Sequence, residues 1–553
     1  MRLRTVTVPC AAIALALVAP AAPALAHGDA MDKVVFKEVI EAQTEGGISK
    51  NMEFVANSPY EIKPGATRGM AGTDIEFARI AGRDYAFGGT YINGLQIVDI
   101  TDPTTPIPTS VYDCAVLQGD VQVFQQGDRV LATYTADSAL NDFGAASRCA
   151  VDNGAVKGQL GTFILDVTDP ANPTSISFAE VPEGSHNMTV HPSGDFLYNS
   201  NSDLLVRTPI GSRSTTSASP KITIFDISTP ETPVKVRDFP LQYVPLSLGS
   251  ESHDITFSED GTRAYSAALS QTLILDTTDP ANPAQISQIL DPTVQVSHGA
   301  DPITLKRSDG TDRELLLISD EQAGAATGTN CPGGGVHIYD ITNEAAPQKM
   351  GIWFIGESKP STATCTAHVF RMHGDQGLFT IAWYDQGVRV VDVQGLADRP
   401  VPAVPFVVSG DGSGIKETGR FTFDDHNTWS FKTNAIATDG SFFGFGNDLG
   451  RGLDVYKFDG AALGRTVPAL VPTDLHPVGD GETAPVGPGK SDGKGNGKGK
   501  GKGPSKDEAF GFLPMGSSGP GSTTALLSLA ALTALAANVA LVRRTRRPEA
   551  LTA

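Results

Sequence analysis

Short runs in which apolar and polar positions alternate recur along the middle of the chain, and each stops at a turn signal. The plainest is "LQIVDITDP", starting at Leu95. It returns as "TFILDVTDP" from Thr162, "ITIFDISTP" from Ile222, "TLILDTTDP" from Thr272, "VHIYDITNE" from Val336, "VRVVDVQG" from Val388 and "LDVYKFDG" from Leu453. The Val/Ile/Tyr/Phe content and the period of two predict a β-strand each time. Asp99, Asp166, Asp226, Asp276, Asp340 and Asp392 close six of the runs; Lys457 stands at this place in the seventh. A carboxylate there can accept the backbone N–H groups of the coming turn, and the Pro that often follows cannot continue a ladder.

Two further strand patterns precede each run and one follows it. Four short antiparallel strands per unit, at spacings of about 40 to 65 residues, are the signature of propeller blades. Seven units predict an all-β, seven-bladed β-propeller. The last unit lacks its fourth strand, whereas "NMEFVANSPY" from Asn51 is a strand without a unit. The N-terminal segment is therefore expected to complete the seventh blade, which leaves no sheet edge at the joint. "LQIVDITDP" and its sisters resemble the LVIVD repeat of bacterial and archaeal cell-surface β-propellers, over roughly residues 72–459. The resemblance implies an architecture and a cell-surface setting; that family has no single activity to carry over.

The ends agree with that setting. Residues 1–26 read as a secretory signal peptide, with Arg2 and Arg4, an apolar stretch and a small-x-small site at Ala24-Leu25-Ala26. The propeller is expected over 27–470 and a Gly/Lys/Pro-rich flexible linker over 471–520. A C-terminal transmembrane helix is expected over 521–543, with a basic cytoplasmic tail over 544–553. "LPMGSSG" from Leu513 departs from a sortase signal at Gly516, which favours a membrane anchor in a bacterial cell membrane over wall attachment.

The formal charge is −20, and many of the basic residues sit in the signal, linker and tail. Nucleic acid is excluded as a partner, because phosphate binding needs a basic footprint. Four cysteines remain after the signal peptide. Pairing of sequence neighbours gives Cys114–Cys149 and Cys331–Cys365, with three connectivities open on paper.

Candidate chemistry lies in one column, the residue just before the first strand of each unit: Asp74, Asp120, His186, His253, His298, His368 and His426. Five of the chain's ten histidines fall there. The first strand of a blade is innermost, so the column should ring one mouth of the central channel. Two readings are open. In the first, four imidazoles are clipped to an aspartate at the end of the neighbouring second strand: His186 to Asp203, His298 to Asp320, His368 to Asp385 and His426 to Asp448, while the unit of His253 offers serines there. In the second, a subset of His186, His253, His298, His368 and His426 holds a divalent or transition metal. The two are compatible, since carboxylates orient metal-bound imidazoles. Trp383, Tyr384 and Trp429 are candidates for the rim or for blade core, and His337 for packing.

The sequence holds no H-E-x-x-H, and no Walker or nucleophile-elbow motif in a strand context. The leading expectation is a monomeric surface module that binds an extracellular ligand or protein through the histidine-bearing face. The alternative is a metal-dependent extracellular hydrolase or oxidoreductase.

Overall fold

The computed structural model describes residues 38–39, 44–62, 72–137, 139–182, 184–201, 220–244, 249–321, 331–361 and 364–475. The expected signal peptide, the linker from 476 onward, the membrane helix, the tail and Asp203 lie outside the described residues. No helix among the described residues is long and apolar enough to cross a membrane.

Seven antiparallel sheets follow one another along the chain, one per sequence unit. The first blade is Ile75–Ile80, Arg83–Gly88, Leu95–Asp99 and Ile107–Tyr112, in spatial order. The predicted Asp-ended runs are the third strands. Those of the first and sixth blades, Leu95–Asp99 and Val388–Asp392, are buried along their whole length. The core lies between neighbouring blades: Phe87, Leu95 and Ile97 of the first pack with Val130 and Phe163 of the second. A strand buried along its whole length is what a sheet covered on both faces produces.

The closing aspartates do what their position suggests. Oδ1 of Asp99, Asp166, Asp226, Asp276, Asp340 and Asp392 accepts the backbone N–H two residues on in every case. All seven blades also share a register irregularity between third and fourth strands, as at Ile97/Val98, Ile164/Leu165 and Ile224/Phe225. Such bulges sharpen the twist that turns a flat sheet into a blade.

The N-terminal strand Met52–Ser58 pairs antiparallel with Gly452–Phe458 and completes the seventh blade, as expected. Two blades carry a fifth strand that the repeat did not foretell. Phe406–Ser409 runs parallel to Gln348–Phe354 on the fifth, and Ile48–Lys50 pairs with Lys416–Thr422 on the sixth. The N-terminal segment thus edges two blades.

After the last strand the chain crosses one end of the channel. Pro468 O accepts from Gln376 Nε2 at 2.9 Å, Leu470 pairs with Ile436, and Leu475 N donates to Arg79 O at 2.6 Å. The expected linker boundary at 471 falls inside this strap. The histidine column lies at the other end.

Candidate metal centre

Each blade sends its innermost strand down the axis, and the residues entering those strands converge. His186, His253, His298 and His368 form a continuous arc. Their ring centroids are 3.9 Å, 4.5 Å and 4.3 Å apart in that order. Tyr384 and Trp429 extend the arc from His368, at 4.4 Å and 4.5 Å. All four imidazoles are buried.

His426 does not join them. The inner strand of the seventh blade starts at Thr428, and a register irregularity between Thr428 and Ser430 puts Trp429 into the arc. The His426 ring turns outward instead, with Nε2 2.9 Å from the Tyr456 hydroxyl and Nδ1 accepting from Phe423 N at 3.3 Å.

The aspartate clips are also placed differently from the sequence expectation. Asp320 Oδ1 accepts from the backbone N–H groups of Gln295 and Val296, at 3.0 and 2.9 Å, not from His298. Asp448 Oδ2 takes Asn427 N at 2.7 Å and the Thr428 hydroxyl at 2.9 Å, and leaves His426 aside. Asp385 accepts from the Ser361 hydroxyl at 2.6 Å, whereas His368 Nδ1 donates to Trp429 O at 2.6 Å. The reason is register. Asp320 lies opposite Ser297, one residue from His298, so its side chain leaves the sheet on the other face. The aspartates do fasten the loops, but through the main chain. His186 does bond a carboxylate: Nδ1 meets Asp137 Oδ1, from the end of a second strand in the preceding blade.

Freed from these clips, the imidazoles face a carboxylate that the sequence reading passed over. Glu321 follows Asp320 at the end of its strand. Its Oε2 lies 3.9 Å from His298 Nε2 and its Oε1 3.7 Å from His368 Nε2. The Tyr384 hydroxyl donates to Oε1 at 2.6 Å. One ligand atom from each of His253, His298 and Glu321 falls in a group spanning no more than 4.8 Å. Metal bonds of about 2.0–2.2 Å place opposite ligands at most about 4 Å apart, so an ion needs only a small inward movement. An acid directly after a strand-ending Asp, in a blade with a column histidine, is the sequence signal that could have found Glu321.

The protonation states suit a cation. Burial pushes His253 and His298 well below the usual imidazole range, and takes His368 to about 3. Burial also opposes the His186 imidazolium, but the Asp137 carboxylate outweighs it and the net shift is upward. Burial raises Glu321 to about 7. Neutral imidazoles are the form that binds metals. His253 Nδ1 donates to His298 O at 3.1 Å, which with the His368–Trp429 bond fixes two tautomers and leaves both Nε2 lone pairs available. Among the described residues no hydrogen bond reaches either ring nitrogen of His298, which is 5 % exposed.

The expected disulfides both form, Cys114–Cys149 and Cys331–Cys365. The second ties the far end of the connection that begins at Glu321 to the segment entering the His368 strand. Below the arc the channel opens into a cavity of about 1160 Å³. His186 and His298 stand at its top, and Asp74, Glu76, Asp120, Asp254, Asp301, Arg371 and Lys432 line it. Asp74 and Asp120 of the sequence column therefore share the channel with the imidazoles. Asp74 Oδ1 pairs with Lys432 at 2.8 Å, and Asp120 Oδ2 accepts Met188 N at 3.2 Å.

A family model described as the LVIVD repeat matches residues 82–114, the second to fourth strands of the first blade. The first blade of this seven-bladed β-propeller thus carries an LVIVD repeat. No curated protein matches the chain. Among solved structures, the chain is similar to a functionally unknown protein from Desulfotomaculum acetoxidans DSM 771, at 12% identity over 61% of this chain and 86% of that one, with a TM-score of 0.37. A protein from Lactobacillus plantarum gives 10% identity, coverage of 73% and 97%, and a TM-score of 0.39. A periplasmic gluconolactonase of Pseudomonas aeruginosa gives 11%, 73% and 96%, and 0.42. Similarity at this level says nothing of the chemistry in the channel, for which the side chains themselves are the guide.

Proposed function

We propose that this propeller is a cell-surface module that binds a divalent transition-metal ion at the histidine-lined end of its channel. The observation that carries the reading is the convergence of His253, His298 and Glu321 within 4.8 Å, with His368 beside the same carboxylate. Imidazole and carboxylate donors suit Zn, Cu, Fe or Ni. Three protein ligands leave coordination positions open, as in sites that accept an exogenous ligand. The ion's own chemistry would be Lewis-acid or redox chemistry at that open position. Around it, His253 and His368 present Nε2, Glu321 supplies the charge, and Tyr384 fixes the carboxylate. The signal-peptide and membrane-anchor patterns expected from the sequence support a setting outside the cell for this module.

Metal analysis of the purified full-length chain tests the reading. One ion per chain is expected, and both His298→Ala and Glu321→Gln should lose it with an unchanged far-UV spectrum. A metal-free chain that takes up none of the four ions, or a His298→Ala variant that retains the full amount, removes the proposal.

A further inference from the structure

The channel below the imidazoles is lined by more carboxyl groups than its cations can balance. Lys432 Nζ lies 2.8 Å from Asp74 Oδ1 and 2.8 Å from Glu76 Oε1, and Arg371 pairs with Glu76. That side of the channel is internally compensated. Asp120, Asp254 and Asp301, on the second, fourth and fifth blades, have neutral hydrogen-bond partners. Met188 N donates to Asp120 Oδ2 at 3.2 Å, Ile255 N to Asp254 Oδ1 at 2.8 Å, and the Thr256 hydroxyl to Asp301 Oδ1 at 2.5 Å. Among the described residues no Lys, Arg or His nitrogen comes within 4.0 Å of any of the three. Sequestered carboxylates without a direct ion-pair partner carry a desolvation cost, which a bound cation would offset.

Geometry narrows the kind of cation. The three carboxyls do not form a metal cage, since the described residues contain one compact group of potential metal ligands, His253, His298 and Glu321. They are spread along the wall of a cavity of about 1160 Å³, a volume suited to an organic molecule. A second feature lines the same space. The His373 ring is 6 % exposed, lines this cavity, and its buried Nε2 has no hydrogen-bond partner among the described residues. It offers a lone pair or an N–H to whatever fills the channel.

We propose that Asp120, Asp254 and Asp301 form a binding site for an organic ammonium ion, held in the channel beneath the imidazole arc. The ammonium N–H groups would donate to the carboxylates, and the alkyl part would lie along Ile255 and Phe370, which line the same cavity. The site is separate from the metal centre and does not depend on it.

Calorimetric titration of the full-length chain, stripped of metal with EDTA, tests this with 1,4-diaminobutane as probe and 1,4-butanediol as its uncharged counterpart. The diamine should bind one per chain and the diol should give no heat. Asp120→Asn and Asp254→Asn should each weaken the diamine at least tenfold. Asp301→Asn keeps the acceptor for Thr256, so it serves as the variant least able to disturb folding, and it should weaken binding in the same direction. Diamine binding no stronger than that of the diol overturns the site, as does wild-type affinity in all three variants. Diamine binding by a chain that takes up no metal keeps this inference and removes the metal centre; metal uptake without diamine binding does the reverse.

Discussion

The Tyr384 hydroxyl donates a 2.6 Å hydrogen bond to Glu321 Oε1 from a backbone held in the left-handed region, at φ +45°. A bulky residue there costs on the order of 1–3 kcal/mol and persists only where its surroundings hold it. Gly387 N and Thr428 N both donate to Tyr384 O at 3.0 Å, and its ring lies 4.4 Å from that of His368. Tyr384→Phe keeps the ring and the turn and removes only the O–H. Loss of a group that orients a metal ligand typically weakens metal binding about 10- to 100-fold. That loss is expected in a competitive metal titration, with the unfolding temperature little changed. Wild-type affinity in the Phe variant would exclude Tyr384 from the site.

The parts legible in the sequence were local. A strand ending in Asp and a turn two residues later are written in adjacent positions, so the blades and their turns could be read directly. Closure by Met52–Ser58 was legible because the count of strands was one short at the other end. Three features were not. Glu321 meets His298 and His368 from two blades, a relationship set by how blades pack. His426 was aligned with the other histidines by counting residues, and the irregularity at Thr428 shifts that count by one side chain. The aspartate clips failed on parity: Asp320 faces Ser297, and a neighbour in sequence is on the opposite side of a strand.

The Cys114–Cys149 bridge closes a loop of 35 residues that holds the second blade's first two strands and the helix Asp142–Ala145, and ends in the first turn of the helix Arg148–Asn153. Chain-entropy arguments give about 3–4 kcal/mol for a loop of that length. The double variant Cys114→Ala/Cys149→Ala should lose an amount of that order in urea unfolding while keeping its metal content, because the bridge does not touch the His253–His298–Glu321 group. A midpoint unchanged from wild type would show that the loop is already ordered in the unfolded chain.

Met52–Ser58 is the outer strand of the seventh blade, and its Asn57 side chain donates to Arg451 O at 2.9 Å and to Asp454 Oδ1 at 2.8 Å. Removing residues 27–58 exposes the ladder groups of Gly452–Phe458 as an open edge. The shortened chain should migrate as larger species in gel filtration and lose cooperative thermal unfolding. A monomer with wild-type unfolding would mean that the ring closes without this strand.

Asp301 gives the pH dependence of stability a definite sign. Burial raises its carboxyl to about 6, against the bond from Thr256 and the fields of Arg371 and Lys432, with Glu76 adding to the rise. The folded chain therefore keeps a proton there that the unfolded chain releases near pH 4. Between those values the native state binds more protons than the unfolded state, so unfolding free energy falls as pH rises from about 4 to about 6. At 1.36 kcal/mol per unit, the contribution is on the order of 2–3 kcal/mol. Asp301→Asn cannot ionise and still accepts from the Thr256 hydroxyl. The wild type should therefore lose stability relative to this variant between pH 4.5 and pH 7.5, measured by urea unfolding at both values, and the gap should level off above pH 7. Wild-type and variant stabilities that run parallel across the whole range would place the Asp301 carboxyl in its ordinary range, exposed to water in the open channel.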